Sequence, residues 1–203
     1  DSASMRTENR ITALQETIRC VSEFATLLTS GMTIRFLNFK QDGNFNNLTD
    51  LKEIMQKVQM VNYEGNTKLG HWLRMKIVGP MIMKKADNNV LKKPVIVAVI
   101  TDGEPTGEPS TALGSTIQWC KNWPSIRNLG EAAVVFLLCR VGNSVEAEAF
   151  LKGLEKDENL KDMVYVSPYR VDDQLAIFQR CKDDDGYRTW VSQNQLLILT
   201  SNI

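Results

Sequence analysis

Four oxygen-bearing side chains stand where they could hold a hard cation. Ser2 and Ser4 lie just before the first helical stretch, in Ser2-Ala3-Ser4-Met5. Thr67 sits in the loop Gly65-Asn66-Thr67-Lys68-Leu69-Gly70, and Asp102 opens the polar loop that follows an apolar run, Thr101-Asp102-Gly103-Glu104-Pro105-Thr106-Gly107. Magnesium takes octahedral oxygen coordination and keeps several waters, so neutral hydroxyls with one or two carboxylates suit it. Each feature also has a plain structural use. A Ser or Thr ahead of a helix caps it, and an Asp-Gly after a strand turns the chain. Their joint occurrence, each at the end of an element, is what points to a site. The dinucleotide fingerprint GxGxxG and the phosphate loop GxxxxGK[ST] are both absent.

The elements that must position these residues are legible from periodicity. Ile11, Leu14, Ile18, Val21, Ala25 and Leu28 recur at intervals of three and four, the buried stripe of an amphipathic helix ended by Ser30-Gly31. Met32–Asn38 alternates and is rich in strand formers, which predicts a strand. Gln41–Asn47 is turn or loop, and Thr49 or Asp50 caps a short helix over Leu51–Val58, with Glu53 placed for a capping box. A helix from Thr67 to about Met83 is expected, kinked or broken at Gly79-Pro80.

Val95–Ile100 is a continuous apolar run and Ala132–Val141 is apolar but for Arg140, the pattern of strands covered on both faces. Helices are expected at Thr111–Asn122, from Asn143 or Ser144 to about Leu154, at Val171–Arg180 and at Tyr187–Leu199; Met163–Val166 reads as a short strand. Leu196–Leu199 is apolar enough to be a strand in a rearranged order. Strands alternating with helices predict an α/β fold with a doubly wound, mainly parallel central sheet flanked by helices, a Rossmann-like arrangement. Ligands bind such sheets at the carboxyl ends of the strands. No repeat or linker interrupts the pattern, so residues 1–203 are expected to form a single domain.

Composition narrows the classes further. The 203 residues carry 24 Lys+Arg against 24 Asp+Glu, which lacks the basic excess of a nucleic-acid binder. With 43% hydrophobic residues the chain can build a core. The longest apolar run, Ala132–Cys139, has eight residues, far from the roughly 18 needed to span a bilayer. Cys20, Cys120, Cys139 and Cys181 show no close pairing, and His71 is the one histidine, which argues against a zinc site. Unpaired thiols favour an intracellular, cytoplasmic setting. Asp183-Asp184-Asp185-Gly186 lacks the alternation of a calcium loop and reads as a solvated turn.

The three motifs together resemble those of the von Willebrand factor type A (vWA) domain. Ser2-Ala3-Ser4-Met5, Gly65–Gly70 and Ile100–Gly107 correspond to the family's Asp-x-Ser-x-Ser, loop Thr and Asp-Gly motifs, and the likeness extends in element order over essentially the whole chain. It is closest to intracellular members common in fungi and other microbes, in the "TDGEPTG", "IRFLN" and "VGNSVEAEAFL" segments. The resemblance implies a metal ion-dependent adhesion site. Ser2, Ser4 and Thr67 would supply hydroxyls, and Asp102 a carboxylate acting directly or through water, to Mg2+, with Mn2+ or Ca2+ as alternatives. The family's leading Asp would precede Asp1, which itself occupies the intervening position. The apolar first strand that ends in that Asp is likewise expected and is not in the sequence.

The implied activity is binding, with no catalysis: the metal bridges to an Asp or Glu of a protein partner, which could be another domain or chain of a larger assembly. Nucleic acid and a membrane span are not expected. Two other readings stand beside it. One is a scaffolding vWA-like domain whose metal site is degenerate; the other is a magnesium-dependent phosphotransferase using Asp102.

Overall fold

The apolar runs on either side of the Asp102 loop form the heart of a parallel sheet. The structure, a computed structural model, describes residues 1–28, 31–130, 133–190 and 193. Among these, strands β1 (Val95–Thr101), β2 (Val134–Arg140) and β3 (Val164–Arg170) form a sheet in the order β1-β2-β3. Both pairings are parallel, with Val95 opposite Val134 and Phe136 opposite Val164. A register shift interrupts the β2–β3 pairing between Leu138 and Arg140.

Helices flank the sheet, as parallel crossovers require. They are α1 (Arg10–Leu28), α2 (Leu51–Gln59), α3 (Leu69–Trp72), α4 (Lys84–Asp87), α5 (Ala112–Lys121), α6 (Pro124–Arg127), α7 (Val145–Glu155) and α8 (Val171–Arg180). The fold among the described residues is thus α/β, with a three-stranded parallel sheet flanked by helices. No described helix is long and apolar enough to cross a membrane.

Strand β2 explains why its sequence lacks alternation. Val134, Phe136 and Leu138 point into a core with Leu113 and Ile117 of α5, Leu151 and Leu154 of α7, and Leu69 of α3. Val135 and Leu137 are also buried, beside Cys139 and Tyr165. Fully burying each such side chain contributes about 1.5–3 kcal/mol. A second apolar cluster joins Leu14 and Ile18 of α1, Ile54 and Val58 of α2, Ile34, Phe36, Val141, Leu175 and Tyr187. Helix ends follow the expected chemistry. Asp50 accepts from the Glu53 amide at 2.8 Å, and Ser144 from the Ala147 amide at 3.1 Å.

One expectation is corrected, and a second is narrowed. Met32–Asn38 is not a strand; Met32 makes one isolated antiparallel bridge with Leu48. Alternate side chains Ile34 and Phe36 are buried, so the pattern was real, but a strand exists only with a ladder neighbour. Here the backbone donors go elsewhere: Ile34 N to Phe45 O at 3.0 Å, Phe36 N to Asp42 Oδ2 at 2.9 Å, and Asn38 N to the Asp1 carboxylate at 2.9 Å. The helix after Thr67 is also not broken at Gly79-Pro80. It runs from α3 through a π-helical segment, Leu73–Met83, into α4, with Pro80 inside. A Pro and a π register are both recognised causes of a kink, here without a break in the helix. Residues 184–190 are helical, overlapping the helix expected over Tyr187–Leu199. Most of that expectation, including Leu196–Leu199, lies outside the described residues.

Candidate metal centre

Asp102 follows β1 directly, at the carboxyl end of the sheet, and is 2% exposed. A carboxylate so buried costs free energy unless it is hydrogen-bonded and its charge is paired. Ser2 Oγ donates to its Oδ1 at 3.1 Å, and Arg10 Nη1 donates to its Oδ2 at 3.1 Å. Ser4 Oγ lies 3.0 Å from Ser2 Oγ, extending the run of oxygens towards solvent.

The plain structural uses of these residues are taken over by their neighbours. Ser2 heads the short 3-10 turn Ala3–Arg6 yet makes no side-chain cap; its hydroxyl goes to Asp102. In the Asp-Gly turn, Thr101 bonds across to Gly103 O at 2.9 Å, leaving the Asp102 carboxylate to face Ser2 and Arg10. Helix α3 is preceded by Lys68, without a side-chain cap there. Its free amides at Gly70 and His71 are instead covered by the two Glu108 oxygens at 2.8 and 2.9 Å. Gly70 is needed for this packing, because a Cβ there would lie 2.3 Å from the Ala112 carbonyl carbon.

Thr67 is buried and joins the others through backbone. Its amide donates to Thr106 Oγ1 at 2.9 Å, and the Thr106 amide donates to its carbonyl at 3.0 Å. The chain start pairs with the same loop, through Glu64 N to Asp1 O at 2.8 Å and Ala3 N to Gly65 O at 3.3 Å. The three sequence motifs therefore meet at one edge of the sheet. Ser2, Ser4 and Asp102 form one hydrogen-bonded chain, and Thr67 is linked by its backbone to Thr106 in the loop that follows Asp102.

Several residues of the site were not singled out by sequence. Arg10 is the chief one. Its guanidinium, 11% exposed, bridges Asp102 and Glu8, with Nε to Glu8 Oε2 at 3.1 Å and Nη1 also 3.4 Å from Ser4 O. A signal existed: Arg10 is the first residue of α1, where the helix dipole disfavours a cation and no acid stands in the first turn. The guanidinium lies over Gly142, whose φ is +82° and where a Cβ would fall 2.5 Å from Arg10 Nε. Gly142 follows β2 closely, and its amide is held by Asp172 Oδ1 at 2.9 Å. Asp1 is the other. Its carboxylate is turned away from Asp102, onto the amides of Asn38 and Phe39 at 2.9 and 2.7 Å.

As a donor set, two hydroxyls, a loop Thr and one buried carboxylate are hard oxygens of the kind magnesium accepts. Their type suits such a cation, while one Asp102 oxygen is already engaged by Arg10. Among the described residues, no group of three or more His, Cys, Asp or Glu gathers to hold a metal ion, at this site or elsewhere. No family model, curated protein or solved structure matches the chain.

Proposed function

We propose that the chain is a vWA-like interaction module, residues 1–203, in which Ser2, Ser4, Thr67 and Asp102 hold a divalent cation, Mg2+ in preference to Mn2+ or Ca2+. One observation carries this reading: the Ser2 hydroxyl forgoes its helix end and is spent on a buried carboxylate across the sheet edge. A serine used only for capping would bond a backbone amide two or three residues on. When bound, the cation supplies a positive centre with an exchangeable water position that a partner's Asp or Glu can take.

The chain's own residues do the rest. Asp102 supplies the anionic oxygen, and its burial keeps that charge from being dissipated by water. Thr106 and Glu108 tie the 104–110 loop to Thr67 and to the start of α3, so a partner approaching the site meets a braced rim.

Isothermal titration of Mg2+ and Mn2+ into the chain tests the proposal. Saturable binding, lost in Asp102→Asn and weakened in Ser2→Ala, is the expected result. No saturable binding, or binding indifferent to Asp102→Asn, overturns it. A second reading, a scaffolding domain with a degenerate site, is favoured by the Arg10 guanidinium already on Asp102. The same titration separates the two.

A further inference from the structure

Resting on the metal-site reading above, we infer that Arg10 is a built-in counter-cation that occupies Asp102 and must be displaced by an incoming metal. Arg10 forms a salt bridge with Asp102, whose side chain is 1% exposed. The same guanidinium nitrogen reaches the Ser4 carbonyl, so it lies across the mouth of the hydroxyl run. The position is built. Gly142 adopts a left-handed conformation beneath the guanidinium and leaves no Cβ in its way. Asp172 fixes Gly142 from the far side.

The arrangement also provides a place for the displaced charge. Arg10 Nε already bonds Glu8, an exposed residue held at φ +55° between the 3-10 turn and α1. Glu8 lines an open groove of ≈ 300 Å³ together with Asn9, Asn143 and Asp172. A divalent cation at Asp102 repels the guanidinium at close range, and the Glu8 carboxylate retains it. Metal binding is thereby an exchange of one cation for another at a single carboxylate. The chain's apparent affinity is set by the difference between them.

The test titrates Mg2+ and Mn2+ into the wild-type chain, Arg10→Gln, Arg10→Lys and Asp102→Asn, with circular dichroism to confirm folding. Removing a like charge this close is expected to tighten binding in Arg10→Gln by about tenfold or more. Arg10→Lys, which keeps the charge on a shorter and more hydrated head, should fall between it and wild type. A second readout uses the wild-type chain alone, should Arg10→Gln not fold: the Arg10 Nε–H resonance should shift as Mg2+ is added. Equal affinity in wild type and Arg10→Gln, both lost in Asp102→Asn, overturns the exchange while sparing the metal site. So does an Arg10 resonance unmoved by saturating metal. Absence of binding in every variant, Arg10→Gln included, overturns both.

Discussion

Replacing Gly142 by Ala puts a methyl group where the Arg10 guanidinium now rests. The Cβ would stand 2.5 Å from Nε and 2.7 Å from Cζ, so the side chain has to leave. The left-handed backbone, φ +82°, adds about 1–2 kcal/mol for any residue with a Cβ. Asp102, keeping only its Ser2 hydrogen bond, loses its charge partner; stripping a buried carboxylate of one partner costs about 3–5 kcal/mol when no relaxation follows. Relaxation of the site and entry of water reduce that, and a total near 3 kcal/mol is expected, with about 2 of it coupled to Arg10. Urea unfolding of wild type, Gly142→Ala, Arg10→Ala and the double variant measures the coupling directly. In the Arg10→Ala background, Gly142→Ala should cost only its backbone strain of about 1–2 kcal/mol. If Gly142→Ala costs the same in both backgrounds, the guanidinium does not depend on that glycine and the reasoning fails.

Two further outcomes follow from the geometry. Glu108→Ala uncovers the amides of Gly70 and His71 and should lower stability by about 1 kcal/mol, read as a reduced urea midpoint with an unchanged slope. Stability should also fall on the alkaline side. Burial pushes the Cys120 and Cys139 thiols up to about 12 and raises the Tyr187 phenol, so the unfolded chain ionises first. Their contribution is intact below the ordinary thiol value near 9.0 and is lost as pH climbs towards the folded values, by about 1.4 kcal/mol per pH unit for each group. Urea midpoints that stay level from pH 8.5 to about 10.5 would contradict this linkage.

The sheet was legible because β1 and β2 are written in the least ambiguous code available. An unbroken β-branched or apolar run followed by a polar loop can satisfy itself only between two covering layers. The helices α1, α2, α5, α7 and α8 were legible from their spacing and caps. Met32–Asn38 was not, because alternation records which side chains are buried and says nothing about whether a neighbouring strand is there to pair with. Gly79-Pro80 was legible as an irregular point in the helix, but its π register was not, because the sequence marks the missing amide and not how the ladder rearranges around it. Residue types singled out Ser2, Ser4, Thr67 and Asp102 as candidates, since oxygen donors announce themselves by chemistry. Arg10 and Gly142 act through proximity across the chain, which only tertiary packing creates.

The stretch around Ile34 to Phe39 has the side-chain burial of a sheet member without the ladder. Its order is supplied by ions: Asp42 and Asp1 hold its amides, and Lys76 reaches from the π-helical segment to Asp42 Oδ2 at 2.9 Å and the Phe39 carbonyl at 3.0 Å. Ladder bonds add cooperatively with their neighbours, whereas these contacts are separate clasps that open one at a time. Amide exchange in this stretch is consequently a local affair, decoupled from the slow global opening that protects β1 to β3. The Lys76–Asp42 pair is itself buried, with side chains 16% and 7% exposed, so added salt screens this clasp little.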